Sequence, residues 1–274
     1  MSNLGVISDE QVEILINDVL EQHGYDFTGY SRASLKRRLS RLYSLDKHVS
    51  FAEFRYKTLN DEVYFKHFVE GVTVNVTEMF RDPSFYRLLR EKILPSLNTY
   101  PFIRIWLAGC STGEEAYSVA IMLKELNLLH KSLIYATDIN PTVLEKAGNG
   151  MFPLGQMKSY SENYIASGGT KDFSSYYAAS YSLAKFDTEL KAKMIFSTHN
   201  LVSDRSFNEF QLILCRNVLI YFDRPLQFRV LQLFDQSLEN LGYLALGTKE
   251  TIDFSPISKS YKRVETDKVW RKIG

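Results

Sequence analysis

Along the first 70 or so residues, apolar side chains recur every three or four positions. Val12, Leu15, Ile16, Val19 and Leu20 form one such stripe, the spacing of a helix that buries one face. Ser8 and Gln11 precede it as a capping-box pair, and Gly24 follows as its stop. Leu35, Leu39 and Leu42 mark the inner stripe of a second helix that begins near Ser31. Ser50 and Glu53 open a third by the same capping logic, and Asp61–Val69 predicts a fourth. The pattern changes after Gly71. Ile103–Leu107, Leu133–Thr137, Phe210–Cys215 and Tyr243–Leu246 are short apolar runs of strand length. Between and after them lie helical stretches: Glu114–Leu126, Pro141–Gly148, and one from Asp223 and Pro225 to about Leu238. Strands alternating with helices imply a mostly parallel sheet with helices on both faces. The last residues, YKRVETDKVWRKI, alternate like a hairpin around a turn near Thr266 and Asp267.

One region breaks this rhythm. From about residue 151 to 196 no clean helix–strand unit is visible. The Tyr- and Phe-rich segment FSSYYAASYSLAKF, and then LKAKMIF, read as antiparallel strands. The expectation is therefore a helical domain over 1–70 and an α/β domain over 71–274, with a small antiparallel β subdomain inserted at about 151–196.

Composition narrows the partners. A net charge of +1 argues against a dominant nucleic-acid partner. No apolar run approaches membrane-span length, and MSNLGVISDEQ lacks the basic start and apolar core of a signal peptide. The two cysteines, Cys110 and Cys215, fall at buried strand ends, and the five histidines show no ligand spacing. No metal site, no membrane insertion and a cytoplasmic location are expected.

The stretch FIRIWLAGCSTGEEAYSVAIMLKEL runs from strand through glycine turn to helix, the way α/β folds hold nucleotide-like cofactors. The turn has neither G-x-G-x-x-G spacing nor the Lys-Ser/Thr of a phosphate loop. It carries Glu114 and Glu115, which would repel a pyrophosphate. A cationic, phosphate-free guest fits better, and S-adenosylmethionine is such a molecule. Strand ends also carry Asp138 and Asn217, with Arg216 beside it, and NVTEMFRD (75–82) precedes the first strand. Asp138 is compatible with capping the next helix as well as with accepting ribose hydroxyls. Tyr221 lies in an apolar run and is equally compatible with the core.

Taken in order, NVTEMFRD, AGCSTGEEAYSVA, ATDINPTVLEKA, HNL and LILCRNVLIYFD resemble the CheR-type chemotaxis receptor methyltransferases over most of the chain. The resemblance implies an α/β fold with a Rossmann-like S-adenosylmethionine-dependent methyltransferase sheet, a small N-terminal helical domain and an inserted antiparallel β subdomain. It implies methyl transfer from S-adenosylmethionine, leaving S-adenosylhomocysteine, to glutamate side chains of methyl-accepting chemotaxis receptors. By motif position the cofactor contacts are Asn75, Thr77, Arg81, Glu115, Asp138, Asn200, Leu201, Asn217 and Val218, and Arg81 and Tyr221 lie near the reacting methyl group. Arg81 is compatible with holding the incoming carboxylate, the cofactor's own, or both. In some members the inserted subdomain binds a receptor tether; a structural flap is the plainer role.

A glutamate is already anionic at neutral pH, so such chemistry needs orientation and desolvation more than a general base. The second helix carries Arg32, Lys36, Arg37, Arg38 and Arg41 with no acid among them. That face is expected to dock the acidic receptor helix. Two other functions fit the same residues: the same chemistry on a receptor-like protein of another pathway, or a non-catalytic cofactor-binding adaptor.

Overall fold

The computed structural model describes residues 7–265 and 268–274, so the turn expected at Thr266 and Asp267 lies outside the described residues. The chain begins with α1 (Asp9–His23), α2 (Arg32–Leu45), α3 (Phe51–Asn60) and α4 (Glu62–Val72). Their ends follow the expected side chains. Ser8 Oγ accepts the Gln11 N–H while the Gln11 side chain accepts the Ser8 N–H, and Gly24 closes α1 in the left-handed conformation. Ser50 caps α3, and Asp61 caps α4 through the N–H groups of Val63 and Tyr64.

A helical run without an assignment in the sequence follows. It comprises α5 (Pro83–Leu88), a π-helical segment (Leu89–Ile93) and the single turn α6 (Leu94–Ser96). The sheet then builds from β1 (Ile103–Ala108), α7 (Glu114–Glu125), β2 (Ser132–Asp138) and α8 (Pro141–Asn149). Next come β3 (Met151–Pro153), α9 (Met157–Ala166), β4 (Tyr177–Ser180), β5 (Leu183–Phe186) and the turn α10 (Thr188–Lys191). The chain closes with β6 (Met194–Thr198), β7 (Phe210–Cys215), α11 (Arg224–Ser237), β8 (Leu238–Leu246), β9 (Tyr261–Arg263) and β10 (Val269–Lys272).

Among the described residues the main sheet has seven strands in the order β6-β2-β1-β7-β8-β10-β9. The pairings β6–β2, β2–β1, β1–β7 and β7–β8 are parallel; β8–β10 and β10–β9 are antiparallel. The inserted region is corrected in two ways. The small sheet is β3-β5-β4, with α9 inside it, so residues 157–166 are helix. The run expected as its last antiparallel strand is β6, which pairs parallel with β2 at the edge of the main sheet. A short apolar run fixes the strand but not its partner.

Each face of the sheet has its own core. One side gathers α5, α7 and α9 with the small sheet around Ile105, Leu107 and Tyr117. The other gathers α11 and the four N-terminal helices around Trp106, Ile213 and Phe234. The helical domain therefore packs into the same core as the sheet. It is also joined by backbone: Tyr30 bridges Phe222, the Ser31 N–H donates to the Tyr221 carbonyl at 2.8 Å, and the Asp223 N–H donates to the Gly29 carbonyl at 2.9 Å. A Cβ at Gly29 would lie 2.8 Å from Leu226 Cδ2, so this approach needs glycine.

Phe234 is fully buried, with its ring centroid 5.3 Å from that of Trp106. Phe234→Ala is expected to cost about 3–5 kcal/mol in urea unfolding; a loss under about 1 kcal/mol would show that this contact does not anchor α11 to the sheet.

Candidate active site

Strand order reverses between β1 and β7: the chain passes outward from β1 through β2 to β6, then returns to β7 on the other side. Open α/β sheets bind ligands outside the carboxyl ends of strands at such a point. A cavity open to solvent lies there, where small-molecule sites of such folds are found. Asn75, Thr77, Arg81, Glu115, Asp138, Asn200, Leu201, Asn217, Val218 and Tyr221 all line it, so one cavity gathers every expected cofactor and methyl-proximal residue. Arg38 and Tyr30 from the helical domain line it too.

Gly109 follows β1 at φ +82°, and a Cβ there would sit 2.5 Å from Val218 Cγ2. Only glycine lets the β1 and β7 loops approach this closely. Ser111 comes next with φ +50°. Its N–H donates to Asp138 Oδ2 at 2.9 Å, and the Asn140 N–H donates to Asp138 Oδ1 at 3.0 Å. Burial pushes the Asp138 carboxyl above its ordinary range, while these N–H donors and that of Ile139 pull it down. Ser111 Oγ is buried and has no partner among the described residues.

The two glutamates of the turn part company. Glu114 is buried, accepts from Thr112 Oγ1 at 2.6 Å and Tyr160 at 3.4 Å, and does not line the cavity. Glu115 does. It accepts from Arg216 Nη1 at 3.0 Å and from the Tyr86 hydroxyl at 3.3 Å. The other terminal nitrogen of Arg216, Nη2, donates to Asp82 Oδ2 at 2.7 Å and to the Arg81 carbonyl at 3.0 Å. The guanidinium stacks on Phe85, 4.1 Å from its ring centre. Arg216 thus organises the cavity wall; a charge at the end of a strand apolar but for Gln211 was its signal in the sequence.

A second such residue is Glu250, which has no sequence signal beyond a loop carboxylate. Its side chain is buried and accepts N–H bonds from Gly247 at 2.6 Å, Asn217 at 3.0 Å and Ile220 at 3.2 Å. Burial raises its pKa against those donors. Asn217 has φ +61°, and Phe80 and Asp82, on either side of Arg81, have φ +53° and +59°. Each such non-glycine residue stores roughly 1–3 kcal/mol. Buried groups hold all of them: Glu250 takes the Asn217 N–H, Ser118 Oγ accepts the Phe80 N–H at 3.0 Å, and Arg216 holds Asp82.

Other expectations resolve more plainly. Asn200 Oδ1 accepts the Val202 N–H at 2.9 Å, closing its own turn. Partial burial raises the pKa of the half-buried Tyr221 phenol, with Arg38 and Arg81 pulling the other way, so at neutral pH it is a hydrogen-bond donor. Burial raises the Cys110 thiol well above its ordinary value, which removes it as a nucleophile. His199 packs edge-on against Trp106, at 5.2 Å between centroids.

The basic face of α2 needs correction. Arg32 pairs with Glu13 and Lys36 with Asp9, both at 2.8 Å, so these two tie α2 to α1. Arg38 is buried inside the cavity. Arg37 and Arg41 alone of the five are exposed with no carboxylate partner among the described residues.

Two family profiles cover this geometry. "CheR methyltransferase, SAM binding domain" matches residues 75–269, and "CheR methyltransferase, all-alpha domain" matches residues 10–73. The chain belongs to the CheR methyltransferase family. It is 42% identical over 266 residues to methyltransferase Cher3 of Pseudomonas putida, covering 97% of each chain. It is 32% identical over 236 residues to the chemotaxis protein methyltransferase of Listeria monocytogenes, covering 84% of this chain and 85% of that one.

The cofactor of this CheR-family chain is S-adenosylmethionine, and the cavity fits it. The unpaired Ser111 Oγ and the bare backbone at Gly109 leave polar and steric room. Asp138 offers an anionic acceptor, and the glycine turn has no lysine for a phosphate. Among the described residues no group of three or more His, Cys, Asp or Glu could hold a metal, and no helix is long and apolar enough to cross a membrane.

An ionised Asp138 is what accepts hydroxyl donors. Because its pKa is raised, its charge is lost, as pH falls, earlier than that of an ordinary aspartate. S-adenosylhomocysteine affinity, measured calorimetrically, is expected to fall on acidification with a midpoint above 3.8, the ordinary value. Asp138→Asn should bind weakly and without that acid limb; a limb retained in the variant would assign it elsewhere.

Proposed function

We propose that this chain methylates glutamate side chains of methyl-accepting chemotaxis receptors in the cytoplasm, using S-adenosylmethionine. The observation that carries the reading is electrostatic. Arg38 and Arg81 line the cavity with Tyr221 and have no carboxylate partner among the described residues. The Arg38 guanidinium lies 5.2 Å from the Tyr221 ring centre. A pocket with two unpaired cations is suited to an anionic acceptor. Relatives named chemotaxis protein methyltransferase, in Listeria monocytogenes and Salmonella typhimurium, support the receptor as its source.

The cofactor supplies an electrophilic methyl group. The residues of the chain supply the rest. Asn75, Thr77, Glu115, Asp138, Asn200, Leu201, Asn217 and Val218 are the proposed cofactor contacts, with Asp138 directed to the ribose and Glu115 offered to a cationic centre. Arg81 and Tyr221 stand at the reacting end, where the Tyr221 hydroxyl donates a hydrogen bond. A carboxylate acceptor needs no proton removed, so no residue is required as general base.

Incubation with methyl-labelled S-adenosylmethionine and receptor-containing membranes should place base-labile label on the receptor, as expected of a glutamyl methyl ester. Base-stable label, or cofactor binding without transfer to any acceptor, would overturn the reading. The exposed pair Arg37 and Arg41 is the proposed docking surface. Arg37→Glu with Arg41→Glu should lower receptor methylation at low salt about tenfold and less at high salt. S-adenosylhomocysteine affinity should stay within about twofold. Equal rates at low salt would remove α2 as the docking face.

A further inference from the structure

Three guanidiniums reach the cavity, and they are not equivalent. Arg216 is ion-paired with Glu115 and Asp82 and donates to the Arg81 carbonyl, with only its Nε lacking a partner among the described residues. Arg81 is half-buried and makes one long bond, from Nη1 to the Val76 carbonyl at 3.3 Å. Arg38 alone of the three is buried with no carboxylate partner among the described residues. It is 9% exposed, its Nε is fixed on the Ser34 carbonyl at 3.2 Å, and its Nη2 is buried with no partner among the described residues.

A buried guanidinium nitrogen without an acceptor is costly. The cost is tolerated where an acceptor arrives from outside. Two carboxylates must enter this cavity if the acceptor is a glutamate: that of the acceptor and that of the cofactor's methionyl end. Two unpaired guanidiniums await them. Arg81 belongs to the 75–82 segment, whose backbone Arg216 clamps to the β1 and β7 loops, and Asn75 and Thr77 of the same segment line the cavity. Arg38 enters from the helical domain, from the helix that also exposes Arg37 and Arg41. Its guanidinium lies over Tyr221, and Tyr30 is the second phenol in its field.

We propose that Arg38 binds the carboxylate of the acceptor side chain, leaving Arg81 for the carboxylate of the cofactor. This rests on the reading of the acceptor as a glutamate. On this arrangement α2 works through both its surfaces: outward arginines receive the partner, and the inward arginine receives the group to be methylated. The guanidinium holds one carboxylate oxygen while the other forms the new C–O bond as the S–C bond breaks. S-adenosylhomocysteine leaves as a neutral thioether, and no proton moves.

The test is a steady-state comparison of wild type, Arg38→Gln and Arg38→Lys, with receptor membranes as variable substrate and S-adenosylhomocysteine affinity measured by calorimetry. Arg38→Gln should raise KM for the receptor roughly ten- to a hundredfold while cofactor affinity stays within about twofold. Arg38→Lys, a point charge without the planar fork, should fall between. If Arg38 only props Tyr221, kcat and cofactor affinity will drop while KM holds, and the assignment is overturned. Should Arg38→Gln fail to fold, Arg38→Lys decides alone: raised KM with unchanged cofactor affinity supports the assignment, and unchanged KM overturns it. Base-labile label from wild type with KM unmoved in both variants sinks the Arg38 role only. Absence of that label from wild type overturns the glutamate reading and this inference together.

Discussion

The active cavity depends on one buried cation. Arg216 joins three stretches of chain that are distant in sequence: the segment before β1 at Arg81 and Asp82, the start of α7 at Glu115, and its own place after β7. Its side chain is almost wholly withdrawn from water, yet burial is overruled by Glu115, Tyr86 and Asp82, and its pKa is raised. A charge in that position is stable only while its partners stay in reach; removing one partner of a buried pair costs about 3–5 kcal/mol. The same interaction that fixes the loops also orients Glu115 at the cavity wall.

Around this clamp the backbone is held in conformations it would not choose. Phe80, Asp82, Ser111 and Asn217 all have positive φ without being glycine. Each is pinned by a buried polar partner: Ser118, Arg216, Asp138 and Glu250 respectively. Strain gathered at one end of a sheet, and opposed by buried charge, is how a site is shaped in advance of its ligand. Two of the cavity's carboxylates, Glu115 and Asp138, are held by Arg216 and by backbone N–H groups, whereas Arg38 and Arg81 have no carboxylate partner among the described residues. That asymmetry favours a carboxylate acceptor over a hydroxyl or amine, either of which would call for a base.

Much of the fold was legible in the sequence because local rules governed it. Ser8, Ser50 and Asp61 cap the helices their spacing announced, and apolar runs became β1, β2 and β7 with shifts of a residue at the ends. Glu115 lines the cavity and Glu114 does not, since consecutive helix positions point about 100° apart. Partnering was less legible. The run that became β6 has the composition of any short strand, and its neighbour is chosen by the free edge of β2. The helix from Pro83 was masked by its π-helical segment, which shifts the apolar period midway. Arg38 was misread as surface although the signal existed. Leu35, Arg38, Leu39 and Leu42 fall at i, i+3, i+4 and i+7, so the arginine occupies a core position of the stripe. A charge on an inner stripe, like Arg216 after an apolar strand, is a stronger pointer to function than a charge on an outer one.

The most direct measurement is a crystal structure with S-adenosylhomocysteine bound. The account predicts the ribose on Asp138 and the amino-acid carboxylate on Arg81. It also predicts Arg216 still bridging Glu115 and Asp82, and Arg38 left free beside Tyr221 for the acceptor. A cofactor carboxylate seated on Arg38, or an Arg216 released from Glu115 on binding, would contradict it.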